Sequence, residues 1–292
     1  MRQAGPDLDG ERRSGPGVWQ RLKRDRWAVA SLFVLLAVGV IAVIGPFIAP
    51  HDPLETNLSM RLKPPGTPGH LLGTDELGRD VLSRLLHGTR LSVGIGFLAV
   101  LMAMAAGVTL GLAAGYYGGF FDALAMRGID VLMAFPYVLL AIAIIAALGP
   151  GLTNAMLAIA IAGIPYYARI TRSAVLSVRE QEYIEAQRAL GSTNRRIVLR
   201  HVLPNALAPI IVAATLDVGW MITAAAGMSF LGLGAQPPTP EWGVMLSDGR
   251  QFIRVAPHLT LMPGLAIFIV VLALNLLGDG LRDALDPRLK DS

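Results

Sequence analysis

Long uncharged, apolar runs alternate along this chain with shorter charged ones, and the run lengths set the first expectation. Between Arg26 and His51 lie 24 residues without a charged side chain, and between Arg90 and Asp122 lie 31. A run of 38 from Val131 to Ala168 is interrupted by Gly149-Pro150-Gly151. That tripeptide cannot continue a helix and reads as a tight turn between two spans. From Arg200 to Glu241 the only ionisable residues are His201 and Asp217, and from Arg254 to Asp279 only His258. A helix that crosses a bilayer needs roughly 20 apolar residues. The pattern therefore predicts an all-α integral membrane protein with six transmembrane helices, near residues 28–49, 91–115, 131–148, 152–172, 206–230 and 259–278. The third of these is short for a span.

Composition agrees with this reading. The 292 residues are 53% hydrophobic and 16% charged, whereas a soluble domain carries about 25% charged residues. The first apolar run is too long for a cleaved signal segment and is followed by no small-x-small cleavage site, so it reads as an uncleaved helix. With the N-terminus in the cytoplasm, 18 lysines and arginines fall inside and 7 outside, as the positive-inside rule requires. Both termini and the polar segment 173–205 are then cytoplasmic.

Several chemistries are excluded by what is absent. The chain has no cysteine, which removes disulfides and thiolate sites. Its only lysines, Lys23, Lys63 and Lys290, each follow a leucine, so no phosphate-binding loop with glycine before lysine exists. Any ATP must be bound by another polypeptide. Histidines 51, 70, 87, 201 and 258 are scattered, without the spacing of a metal site. Ser229 in "GMSFLG" lacks the following glycine of an intramembrane serine protease.

Other positions invite closer attention. Gly107, Gly111, Gly115 and Gly119 recur at four-residue spacing, a small face that lets another helix approach closely in lipid. Asp217 lies near the middle of the fifth span, where an acid costs on the order of 3 kcal/mol and must face a cavity or a partner. It reads either as a pathway-lining acid or as a structural hydrogen-bond acceptor. Asn275 is expected to join helices. In the outer segment 51–90, Thr74 is the expected N-cap of a helix ending at Gly88, with Leu77, Val81 and Leu85 on one apolar face. That helix and residues 232–254 are the expected docking surfaces for an external partner.

The cytoplasmic segment "QEYIEAQRALGSTNRRIVLRHVLPN" reads as a helix over 180–190 ended by Gly191, then a second helix from about Arg195, closed by Pro204. Tyr183, Ala186 and Leu190 share a face of the first helix. These residues resemble the EAA loop of ABC importer permeases: Glu185, Ala186, Gly191, Leu203 and Pro204 match at the family spacing. Gln187 replaces the second alanine, and His201 stands where isoleucine is usual, with Val202 beside it. "LLGTDELGRDVLSRLLHGTR", "AGYYGGFFDALAMRGIDVLMAFP", "SFLGLGAQPPTPEWGVMLSDGR" and "NLLGDGLRDALDPRL" likewise resemble the C-type permease subunit of dipeptide and oligopeptide importers.

The resemblance implies a type I ABC importer permease fold with a cytoplasmic coupling helix, in a bacterial plasma membrane. It implies a tail over 1–26, a first helix and external segment over 27–89, the transporter domain over 90–281 and a tail over 282–292. It further implies a B-type permease partner, two ABC ATPase subunits that hold ATP and magnesium, and an extracytoplasmic peptide-binding protein. No cofactor is implied on this chain itself, and no nucleic acid. Glu185 would pair with a basic ATPase residue. A nickel-import permease is the nearest alternative, and a proton-driven transporter using Asp217 is the alternative of another class.

Overall fold

The computed structural model describes residues 18–285, and those residues form helices joined by turns, with two isolated bridges and no strand. In chain order the helices are α1 (Val18–Leu22), α2 (Arg26–Ile48), α3 (Val81–Tyr117), α4 (Gly119–Met133), α5 (Tyr137–Leu148), α6 (Leu152–Arg179), α7 (Glu182–Ala189), α8 (Asn194–Ile197), α9 (Leu203–Phe230), α10 (Trp242–Gly249) and α11 (His258–Leu285). Residues 1–17 and 286–292 of the expected tails lie outside the described residues. Within the described part of the N-terminal tail, Leu22 of α1 packs with Ala28 and Ala284, and the Asp25 carboxylate caps α2 by accepting from the Trp27 and Ala28 N–H groups.

The bundle has two ends. At one, residues 49–80 and 231–257 with α10 form a cap. At the other, residues 180–202 form a loop. α3 connects the two; its 37 residues reach about 55 Å at ~1.5 Å per residue, well beyond a hydrocarbon core of about 30 Å. α6 runs parallel to α3, and the glycine face explains how closely. A Cβ at Gly107 would meet Tyr167 Cβ at 2.5 Å and the Ile164 carbonyl at 2.7 Å. At Gly111 it would collide with the Ala168 carbonyl and lie 2.9 Å from Thr171 Cβ; at Gly115 it would lie 2.9 Å from Val175. Gly119 does not continue the row. The chain turns at Gly118 and Gly119, with φ of 67° and 61°, and Gly119 begins α4 with open space beside it.

Four helices, α2, α3, the stretch Asn194–Phe230 and α11, are long and apolar enough to cross a membrane. The pair α4 and α5, bent by 91° at residues 134–136, makes a fifth if it counts as one span. The third and fourth apolar runs explain why six are not reached on this measure. α5 has only 12 residues, and α6 carries Arg169, Arg172 and Arg179. Those arginines are engaged: Arg172 donates twice to the Asp122 carboxylate at 2.6 Å, and Arg169 donates to Asp130 at 2.6 Å. Two ion pairs thus hold α4 against α6.

The cap corrects the expected outer helix. Thr74 caps nothing; its hydroxyl accepts from the Lys63 N–H and donates to the Met60 carbonyl. The helix begins seven residues later, at Val81, because the Asp80 carboxylate accepts from the Ser83 N–H and hydroxyl at 2.8 and 2.7 Å. Nor does Gly88 end it. α3 passes straight through, and Gly88 is the point where Pro240 and Trp242 press against the helix. Residues 74–80 form instead a turn around a buried pair, Arg79 Nε to Asp75 at 2.6 Å, with Arg79 also donating to Glu76 at 2.7 Å. Burial holds the Glu76 carboxyl above its usual range, aided by the adjacent Asp75 charge. Asp248, at the end of α10, is raised by burial as well. Arg84 lies beside this network, donating to the Pro53 and Pro238 carbonyls.

Much of the expected docking surface is therefore interior. Thr74, Asp75, Arg79, Asp80 and Arg84 are buried, as are Trp242 to Met245. Ser92 on α3 donates to Glu241 at 3.0 Å and accepts from the Trp242 N–H at 3.1 Å, locking α10 to α3. Exposure in the cap passes to Leu58, Leu71, Ile253 and Val255.

Candidate functional site

At the loop end, α7 is an eight-residue helix held by its underside. Ile184 is fully buried in a small core with Tyr116, Val175, Val178, Ile197, Val202 and Ala206, separate from the main core of the bundle. Three of these side chains come from the ends of α3 and α6 and one from the start of α9. Polar contacts reinforce the junction. The Arg179 guanidinium donates to the Gly115 and Tyr116 carbonyls at the end of α3, at 3.1 and 3.0 Å. Tyr116 donates to Asn194 Oδ1 at 2.9 Å, and the Arg188 guanidinium sits 5.7 Å from the Tyr116 ring centroid.

The opposite face of α7 is bare. Tyr183, Glu185, Ala186, Ala189 and Leu190 are exposed, Leu190 to 78%. Glu185 makes no hydrogen bond or ion pair among the described residues. Gln187 is half-buried and accepts from the Ser192 hydroxyl at 3.0 Å. Gly191 has φ of 76°, a left-handed conformation that glycine adopts without strain. It reverses the chain while the Ser192 N–H returns to the Gln187 carbonyl at 3.0 Å. A knob that exposes Tyr183, Ala186, Ala189 and Leu190 beside the charged Glu182, Glu185 and Arg188 thus projects from the bundle, rooted in a dedicated core.

The second helix of the loop does not stop at Pro204. α8 passes through a π-helical turn, Val198–Val202, directly into α9. Proline lacks the N–H that a regular turn would donate. The wider turn and the Asn205 amide, which donates to the His201 carbonyl at 2.6 Å, accommodate it. Leu203 is half-buried and Pro204 exposed, while Val202, beside the His201 departure, is fully buried in the loop core.

Asp217 lies on α9, half-buried, and accepts from the Tyr167 hydroxyl at 2.9 Å. No cationic side chain contacts it among the described residues. Aromatic rings surround the position. Tyr166 stands edge-on to Tyr167 at 5.4 Å, and Tyr137 on α5 stands edge-on to the exposed Trp220 at 6.0 Å. Tyr137 donates to the Ile159 carbonyl at 3.0 Å, which ties α5 to α6 near this acid. Sequence reasoning found Asp217 but not its donor fifty positions away.

These features can be set beside known proteins. The sequence profile described as binding-protein-dependent transport system inner membrane component matches residues 107–291, and that of the N-terminal TM domain of oligopeptide transport permease C matches residues 17–65. A dipeptide transport system permease protein, DppC of Alkalihalophilus pseudofirmus, is 51% identical over 93% of this chain and 89% of its own length. DppC of Haemophilus influenzae is 47% identical over 93% and 94%. The glutathione transport system permease protein GsiD of Pectobacterium atrosepticum is 48% identical over 93% and 90%. In fold, the MetNI methionine ABC transporter in an inward-facing conformation aligns with a TM-score of 0.56 at 21% identity, covering 70% of this chain and 97% of the other. Identity of this order over nearly the full length, on a helical bundle shared with a solved ABC transporter, places the chain in the family of binding-protein-dependent transport system inner membrane components.

Proposed function

We propose that this chain is the C-type permease subunit of an ATP-driven importer of di- and oligopeptides, and that α7 is its coupling helix. The observation that carries the reading is the knob itself: an exposed face of Tyr183, Ala186, Ala189 and Leu190 over a fully buried Ile184. An exposed apolar face on an eight-residue helix is a surface that expects a partner. The partner is one of two ATPase subunits, which bind ATP and magnesium; this chain binds no nucleotide and performs no chemistry. Glu185, without a hydrogen bond or ion pair among the described residues, pairs with a basic ATPase residue.

In this reading the loop end is cytoplasmic, as are both termini, and α6 also spans the membrane, which brings the count to six, its Arg169 and Arg172 kept at the cytoplasmic half by Asp130 and Asp122. Closure of the ATPase pair on ATP pulls α7. The core around Ile184 passes that motion to α3, α6 and α9 together, which move as one body because Gly107, Gly111 and Gly115 let α3 and α6 interlock. A B-type permease supplies the other half of the pathway. Asp217, among its tyrosines, faces that pathway and attracts the cationic amino terminus of a passing peptide. An extracytoplasmic binding protein delivers the peptide to the cap, touching Leu58, Leu71, Ile253 and Val255.

The test is parallel uptake of labelled tripeptide and labelled nickel by cells carrying the intact chain, a deletion, or Gly191→Phe. Loss of peptide uptake in both altered strains, with nickel unaffected, is the expected result. Loss of nickel uptake alone would overturn the peptide assignment. Unimpaired uptake with Gly191→Phe would overturn the coupling role.

A further inference from the structure

The cap brings together three side chains that lie far apart in sequence. His51 follows shortly after α2, His70 sits in a turn closed by its own N–H to the Thr67 carbonyl at 2.8 Å, and Asp80 begins α3. His70 Nδ1 lies 2.9 Å from Asp80 Oδ1, and His51 Nδ1 lies 3.9 Å from Asp80 Oδ2. The two imidazoles stack with centroids 4.7 Å apart. One ligand atom from each residue falls within 4.8 Å of the others. We propose that His51, His70 and Asp80 bind a resident divalent transition-metal ion that clamps the cap.

Three observations carry this beyond proximity. First, His51 Nδ1 is buried and has no hydrogen-bond partner. A buried nitrogen left without a partner is costly, and coordination would satisfy it. Second, the carboxylate is already oriented. Asp80 Oδ2 accepts from the Ser83 N–H and hydroxyl, and the Ser83 hydroxyl oxygen in turn accepts from the His51 N–H at 3.0 Å. One serine thus fixes the acid and the backbone of the first histidine, the outer-shell support that ligands need. Third, the three residues line a pocket of about 230 Å³ that also presents Glu55 and Asn57. Room for an ion and further oxygen ligands adjoins the nitrogens.

The donor set indicates the class of ion. Two imidazoles and a carboxylate suit zinc, cobalt, nickel or copper, whereas magnesium and calcium prefer oxygen alone. Metal–nitrogen bonds of about 2.0–2.1 Å place tetrahedral ligands roughly 3.3 Å apart. The two His–Asp distances of 2.9 and 3.9 Å bracket that spacing, and with all three ligand atoms within 4.8 Å of one another, side-chain rotation draws the imidazoles together to close the site. Binding replaces the His70–Asp80 hydrogen bond with two bonds to the ion; a neutral His70 that carried its proton at Nδ1 then carries it at Nε2, and only an imidazolium releases one to solvent. The consequence is mechanical: residues 51, 70 and 80, on three separate segments, become one rigid unit at the start of α3. The inference does not depend on the transported solute.

The test uses the assembled importer, purified in detergent, stripped with a chelator and titrated with Co²⁺. The expected result is saturable binding with visible d–d absorption, about one equivalent of which is lost, or weakened at least roughly tenfold, in His70→Gln and in His51→Gln. His51 is a third exposed, so its variant decides the matter if His70→Gln fails to assemble. Equal Co²⁺ binding by the intact chain and by His51→Gln, or no saturable binding by the intact chain, would overturn the site. ATP-driven accumulation of Co²⁺ inside proteoliposomes that vanishes with His51→Gln would show a cargo site and overturn the resident role.

Discussion

Replacing Ile184 by alanine should detach the coupling helix while leaving the transmembrane bundle folded. Ile184 is fully buried and is the one side chain of α7 in the loop core. Truncating such an isoleucine costs about 2–5 kcal/mol. A helix of eight residues is below the roughly 12–15 that hold on their own in water, so α7 depends on this anchor. At ~3 kcal/mol the ratio of docked to undocked α7 falls roughly 100-fold. Two assays read the effect. Amide exchange over residues 184–190 should accelerate strongly, with protection in α3 and α6 retained. In proteoliposomes, peptide uptake per ATP hydrolysed should fall, because ATPase closure then moves a helix no longer fastened to α3, α6 and α9. Wild-type protection and wild-type coupling in Ile184→Ala would refute the reasoning.

Three further expectations follow from other parts of the molecule. Gly111→Val drives a side chain into the Ala168 carbonyl and Thr171, and should destabilise the protein by about 1–3 kcal/mol in thermal unfolding; Gly94→Ala, with open space around it, should be neutral or slightly stabilising. Arg172→Ala removes both hydrogen bonds to Asp122 and should weaken the hold of α4 by roughly 1–2 kcal/mol, read as faster exchange in α4. The third concerns pH: Glu76 and Asp248 have carboxyls raised by burial, so each is more readily protonated in the folded than in the unfolded chain. Their contribution is fully present below the ordinary carboxylate range and is lost as pH rises through the raised folded values. Combined Glu76→Gln and Asp248→Asn should therefore gain stability relative to the wild type at neutral pH, with the gain shrinking on acidification; a gain that grows in acid would contradict the assigned direction.

What could be read from the sequence was what local physics decides. Uncharged runs located α2, α3, α9 and α11, because a helix in lipid must carry its own apolar surface. The spacing of Gly107, Gly111 and Gly115 announced a close helix contact, though only the structure shows that the partner is α6. Glu185 to Pro204 gave away the loop, since a helix, a left-handed glycine and a proline each leave a local mark. Tertiary contacts hid the rest. Thr74-Asp75-Glu76 has the look of a helix start, yet Asp75 is drawn to Arg79, and the helix waits for Asp80. The α4–α5 pair escaped because bending allowed a short helix to follow a charged one. The histidines seemed scattered because the fold, and no sequence spacing, brings His51 and His70 beside Asp80. Pro204 predicted a helix end that the π-turn avoids.

The most direct test of the central claim exploits the absence of native cysteine from the chain. Ala186→Cys places its only thiol on the bare face of α7, where it can be trapped by a disulfide to a cysteine introduced in the groove of an ATPase subunit. The account predicts a permease–ATPase cross-link, with ATP-driven peptide uptake arrested until a reductant restores it. Equal labelling of that thiol by a bulky maleimide in the free and the assembled permease, with uptake unchanged after labelling, would contradict it.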